Sequence, residues 1–210
     1  DIDQAFRRKF HVGSTVYADV LGFNTKACPV GSEPKSWAEF WDVGRYPGPR
    51  SLADISAGVP NLEFALLADG VAPGAIYPID VERAFKSLSK IKASIPKFWT
   101  SGAVATQMLV DKEVNFSTIW RSRANTARCA GGPVAIQWNQ NLVNVTAAGI
   151  TKNARNLKAA KLYLDYSLSA DIQTRLITVS KDIPVNRKAY PAIDKSLIDP
   201  DANLPWTASK

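Results

Sequence analysis

The chain has 210 residues, a net charge of +7 and a pI near 9.4, and its 46% hydrophobic share is ordinary for a water-soluble globular protein. That length fits one large domain or two small ones, and no apolar run is long enough to cross a bilayer. The basic residues are spread out: Arg7, Arg8 and Lys9 form one small group and Arg121, Arg123 and Arg128 another, without an aromatic RNA motif, finger spacing or basic zipper, so a nucleic-acid partner is not expected.

The opening DIDQAFRRKF lacks the charged-then-apolar pattern of an export signal, so the expectation is that such a signal was removed or never present. Thr15 to Phe23, TVYADVLGF, is rich in β-branched and aromatic residues and predicts a strand. Cys28 and Cys129 are too far apart for a C-x-x-C motif, and whether they pair as a disulfide is left open by the sequence. His11 is the single histidine, with nothing beside it to suggest a triad or metal cluster.

The segment SWAEFWDVGRYPGPRSL, Ser36 to Leu52, is the most informative of the chain. Ser36 and Glu39 form a capping box, and Trp37, Phe40 and Trp41 then share one helical face. Tyr46-Pro47-Gly48-Pro49 is a turn, after which Arg50 to Ile55 predicts a short strand. Pro60 is expected to open a helix that stops at Gly70, and Asp80 to cap a second, on which Val81, Phe85, Leu88 and Ile91 form a core-facing stripe.

Lys97 to Thr100 is a strand candidate, followed by a helix from Ala103. Val114 to Trp120 alternates most clearly, Arg121 to Ala130 reads as helix, and Pro133 to Trp138 and Asn144 to Ile150 read as two strands. A long helix from Asn153 to Leu168 carries the stripe Leu157, Ala160, Leu164 and Leu168, and another runs to about Val179. Beyond Asp182 the prolines 184, 191, 200 and 205 predict irregular chain. Strands alternating with helices give an α/β fold with helices on the faces of the sheet.

The Ser36–Leu52 segment resembles the "tWadfwdv..fpGkra" stretch of ABC-transporter solute-binding proteins of the spermidine/putrescine-binding type. Four further segments match the same family in the same order: NLEFALLADG, FWTSGAVATQMLVDKEVNFSTIW, VTAAGITKNARNLKAAKLYLDYSLSADIQTRL and IPVNRKAY. The resemblance implies a periplasmic-binding-protein type II-like lobe, a mixed sheet flanked by helices. Residues 1–180 would then be the second lobe with a hinge strand near 15–23, and 181–210 an irregular segment returning toward a first lobe. Most of that first lobe is expected to be missing, since such proteins carry a domain-sized block before the strand that matches Thr15 to Phe23.

By the same resemblance the protein is an exported, periplasmic solute-binding component of an ABC importer. Its partners would be a small amine-containing or zwitterionic solute (polyamine-like, amino acid-like or an aminophosphonate) and the membrane permease, with no cofactor, no metal and no catalysis. Trp120 and Arg121 are the leading ligand candidates, because an indole face attracts ammonium groups and a guanidinium grips carboxylates at a strand's carboxyl end.

Glu63 matches a position where polyamine binders use a carboxylate, although a Glu in a first helical turn is also ordinary dipole chemistry. Ser101 and Gly102 could receive an anion or serve simply as a helix cap. Asn144 stands roughly where amine binders place an aspartate, which argues for a smaller zwitterion or neutral solute over a long polyamine. Trp99, with Tyr77 and Trp138, is a secondary candidate better read as core. Two other readings stay open: an enzyme or sensor on the same framework, and a single-lobe interaction module that forms a homodimer through the surface the first lobe would cover.

Overall fold

A computed structural model describes residues 1–59 and 61–193. The chain forms two compact units, and it passes from one to the other inside two long strands. Asp19–Leu142 make one unit; Asp1–Ala18 and the described residues from Val143 onward make the other. The expected helix-opening proline, Pro60, and the prolines 200 and 205 lie outside the described residues.

In the 19–142 unit, the second half of β1 (Val12–Asn24) pairs antiparallel with β3 (Phe116–Trp120), in a register that sets Asp19 opposite Trp120 and Phe23 opposite Phe116. On the far side of β3, the short β2 (Arg50–Ser51) runs parallel to it, with Arg50 opposite Phe116. The sheet is therefore mixed, as expected. The predicted strand to Ile55 shrinks to β2 and one bridge from Ala53 to Trp99, because Pro/Gly-rich chain on either side leaves little regular ladder.

Helix α1 (Trp37–Trp41) begins with the predicted cap: the N–H of Glu39 donates to Ser36 Oγ at 3.2 Å. The reciprocal arm reaches one residue further than expected, the Glu39 carboxylate accepting from the N–H of Lys35 at 2.6 Å. All three rings of α1 are buried. Trp37 stacks on Phe64 of α2 (Asn61–Ala68) with centroids 3.9 Å apart, and the Trp41 indole donates to the Ser87 carbonyl of α3 (Val81–Ile91) at 3.0 Å. The short helix thus ties the two longer ones to the sheet.

The turn that follows is closed by Arg50. Its side chain is fully buried and donates to the carbonyls of Phe40 (2.6 Å), Gly48 (2.7 Å), Asp42 (3.3 Å) and Tyr46. Burial pushes its guanidinium down to about 10, so it remains charged at neutral pH. Gly48 is required at the bend: its φ is +115°, and a Cβ there would lie 1.9 Å from Asn115 Nδ2.

Asp80 caps α3 as predicted, its carboxylate accepting from the N–H of Arg83 at 3.0 Å, but the predicted core stripe is rotated in part. Its second half holds, with Ile91 buried and Leu88 packed partly against the core, while Val81 and Phe85 are 50% and 58% exposed and Ala84 and Ser87 are buried in their place. Lys97 to Thr100 supplies only the bridging residue Trp99. Helix α4 (Gly102–Val110), capped by Ser101, precedes β3, which runs directly into α5 (Arg121–Cys129).

The two strands predicted over 133–138 and 144–150 are a single strand, β4 (Val134–Ala148). Its interruption in the sequence, Asn139-Gln140-Asn141, is absorbed by Gln140 at φ +60° without ending the strand. Both cysteines are free thiols, Cys28 buried and Cys129 exposed, so the disulfide left open by the sequence is not formed.

In the other unit the start of β1 pairs antiparallel with β5 (Ile183–Pro184). Residues 181–193 thus include regular structure, β5 and a 3₁₀ turn over Arg187–Ala192. α6 (Leu157–Ser167) buries none of its residues, so its predicted stripe is not core, whereas α7 (Ala170–Ser180) buries Gln173 and Ile177. Gln173 joins three segments by donating to the carbonyls of Ser14 and Ser167 and accepting from the N–H of Val185.

Candidate functional site

Of the predicted residues of the 19–142 unit, Trp99, Ser101, Gly102 and Arg121 gather around Trp120 at the carboxyl end of β3. Trp120 is the last residue of that strand and is partly exposed, while every residue before it, Phe116 to Ile119, is buried. Trp99 is fully buried and meets Trp120 edge-on, with centroids 5.6 Å apart and planes at 79°. The Trp99 indole N–H donates to Thr118 Oγ1 at 3.2 Å, which fixes the ring that supports Trp120. Trp99 is therefore core, as its secondary rank anticipated, but core directly beneath the leading candidate.

Gly102 lies against the other side. A Cβ built on it would stand 2.6 Å from Trp120 Cε3 and 2.8 Å from Arg123 Cγ, so only glycine leaves room for the indole at the start of α4. The Ser101 hydroxyl accepts from the N–H of Val104 at 3.3 Å and is exposed. Its cap role is present in the structure, and the hydroxyl hydrogen remains available as a donor.

Arg121 is 1% exposed, so its charge lies inside the unit and not on an open face. Asp19, the register partner of Trp120, is buried to the same degree, and Asn125 one turn along α5 is also buried. Sequence reasoning passed over Asp19 and Asn125. The β-branched and aromatic content of TVYADVLGF marks a strand without revealing that both faces of it are covered, and no local pattern tells a buried Asp from a surface one.

Glu63 lies in the first turn of α2 and is half-buried. Its carboxylate accepts from the Tyr77 hydroxyl at 2.9 Å, and this hydrogen bond, together with burial, raises the Tyr77 phenol above its ordinary value. The helix that carries Glu63 is anchored to the same edge as Trp99: Asn61 Nδ2 donates to the carbonyl of Ala53, which bridges to Trp99. Trp138 is buried in the same unit, as expected of a core residue, whereas Tyr77, read the same way, is 66% exposed. Asn144 belongs to the other unit, on β4.

Among the described residues no cluster of His, Cys, Asp and Glu could hold a metal ion, and no helix is long and apolar enough to cross a membrane. What remains is an aromatic platform at a strand's carboxyl end, with a helix start on either side.

Residues 12–204 match the model of the bacterial extracellular solute-binding proteins. The chain belongs to that family. It is 30% identical over 167 residues to the gamma-aminobutyric acid-binding protein of Pseudomonas aeruginosa, covering 77% of this chain and 46% of that protein. It is 28% identical over 160 residues to the spermidine/putrescine-binding periplasmic protein of Escherichia coli, covering 74% and 43%. The chain therefore spans about half the length of the curated relatives it matches.

Among solved structures, a GABA receptor superposes with a TM-score of 0.86 at 32% identity, over 93% of this chain and 60% of that one. An ABC transporter substrate-binding protein from Bradyrhizobium japonicum gives 0.85 at 36%, over 93% and 61%. The α/β, binding-protein architecture expected from the ordered motifs is the one these structures share. The family is one of binding proteins and not of enzymes.

Proposed function

We propose that the protein containing this chain captures a small amine-bearing or zwitterionic solute and delivers it to the permease of an ABC importer in the periplasm. The observation that carries this reading is the partly exposed Trp120 indole at the carboxyl end of β3, held by Trp99 and Gly102 and followed immediately by Arg121.

An ammonium group over an indole face gains about 0.5–2 kcal/mol, the upper end when water is excluded. A carboxylate or phosphonate on the same solute would be drawn toward the start of α5, whose N-cap residue, Trp120, supplies no side-chain cap, with the buried Arg121 adding positive charge behind it without touching the solute. Glu63 offers a carboxylate for an ammonium, and Ser101 a hydroxyl. The names of the relatives support an amine as the common feature, since one binds gamma-aminobutyric acid and another spermidine and putrescine. By the family likeness, the stretch near 15–23, within β1, would serve as a hinge strand for closure around the solute.

Calorimetric titration of the intact binding protein with ω-amino acids, diamines and aminophosphonates tests the reading. Trp120→Ala should weaken solute binding about tenfold or more, equivalent to about 1.4 kcal/mol. Affinity equal to wild type in this variant would overturn it.

A further inference from the structure

We infer that Gly102 is a specificity-determining residue of the solute site, because its bare α-carbon is the seat of the Trp120 indole and so fixes how far that ring projects. The inference rests on the proposed Trp120 site and adds a residue that itself need not touch solute.

The geometry is tight on two sides. A Cβ at Gly102 would stand 2.6 Å from Trp120 Cε3 and 3.0 Å from Cζ3, both atoms of the six-membered ring. Carbon atoms in ordinary contact stay about 3.5–4.0 Å apart, so an alanine would push the ring away by roughly 1 Å. The ring cannot retreat into the unit: Trp99 packs edge-on against it, is fully buried, and is pinned by its hydrogen bond to Thr118. The remaining direction is outward, into the space a solute would occupy.

Backbone conformation does not explain the glycine. Gly102 is the first residue of α4 and is absent from the positive-φ glycines, so an alanine could adopt its dihedral angles. The close approach of Trp120 and of the Arg123 stem is what excludes a side chain. A displacement of one carbon–carbon bond's scale matters at such a site, because a single methylene in a fitted pocket changes discrimination by about 10–200-fold.

The test is the ratio of affinities along a series of ω-amino acids and α,ω-diamines of increasing length, measured by calorimetry on the intact binding protein. Gly102→Ala should shift preference toward shorter members by about tenfold, and Trp120→Phe, which removes the crowded ring, should relax it toward longer ones. In the Gly102→Ala/Trp120→Phe double variant the alanine should have no further effect, a non-additivity that shows the two residues act through one contact. A wild-type length ratio in Gly102→Ala, or the same alanine-induced shift in the Phe background, would overturn the inference.

If Gly102→Ala fails to fold, recovery of folding in the double variant supports the seat and the length ratio of Trp120→Phe decides selectivity; an unfolded double variant counts against it. The two levels separate cleanly. Unchanged affinity in Trp120→Ala removes the site itself, whereas lost affinity in Trp120→Ala with an unchanged length ratio in Gly102→Ala removes only the role of Gly102.

Discussion

Gln140 holds both polar ends of Trp37: its side-chain oxygen accepts from the Trp37 main-chain N–H at 3.0 Å, and its carbonyl accepts from the indole N–H at 2.9 Å. The pair joins the first residue of α1 to the middle of β4, at the point where Gln140 takes φ +60°. Gln140→Ala should lower stability by about 1–3 kcal/mol, since it leaves a helix-start N–H unpaired and keeps the left-handed backbone. Gln140→Gly should cost less, because relief of the strained φ, about 1–2 kcal/mol, offsets part of the lost bond. Denaturant unfolding of both variants checks the order; an alanine variant as stable as the glycine one would contradict it.

Arg50 is the second anchor, with one carbonyl partner, Phe40, in α1 and the other three, Asp42, Tyr46 and Gly48, in the chain between α1 and β2. Arg50→Met fits the apolar surroundings of Phe40 and Phe116 but leaves those carbonyls without their donor. The expected loss is about 3 kcal/mol or more, from several unsatisfied buried groups at about 1–3 kcal/mol each. A thermal midpoint within a degree or two of wild type would show that water replaces the guanidinium there.

Glu33 makes the fold sensitive to acid. Burial pushes its carboxyl up, but hydrogen bonds from Lys35 and the N–H of Gly31 outweigh this and hold it below its ordinary value. With the folded value depressed, its contribution is present above the unfolded carboxyl value of about 4.3 and is lost as pH falls through the folded one. The unfolding midpoint should therefore fall more steeply below about pH 4.3 in wild type than in Glu33→Gln, and parallel curves would exclude the assignment.

Phe85 tests the rotated face of α3. A sequence stripe alone would assign Phe85→Ser the large penalty of a core truncation, about 3–5 kcal/mol. The exposed position predicts a change within about 0.5 kcal/mol, which denaturant unfolding can separate at once.

The sequence carried the local events without help. Ser36 and Asp80 are caps because a short oxygen-bearing side chain before a helix satisfies a free N–H whatever surrounds it. The Tyr46–Pro49 turn and the stop at Gly70 are equally local, and the ordered motifs placed the family. Only the tertiary structure decided what depends on neighbours distant in the chain. It chose which side of α3 is buried, since a helix offers several faces and its neighbours cover the one with Ala84, Ser87 and Ile91. It carried β4 through Gln140, because Trp37 supplies partners for a residue that alone would read as a turn. It buried Arg50, Asp19 and Arg121, whose charges look solvent-facing in any local window. And it gave Gly102 a meaning that a cap motif could not: the helix start is glycine because an indole 18 residues later in the chain lies against its α-carbon.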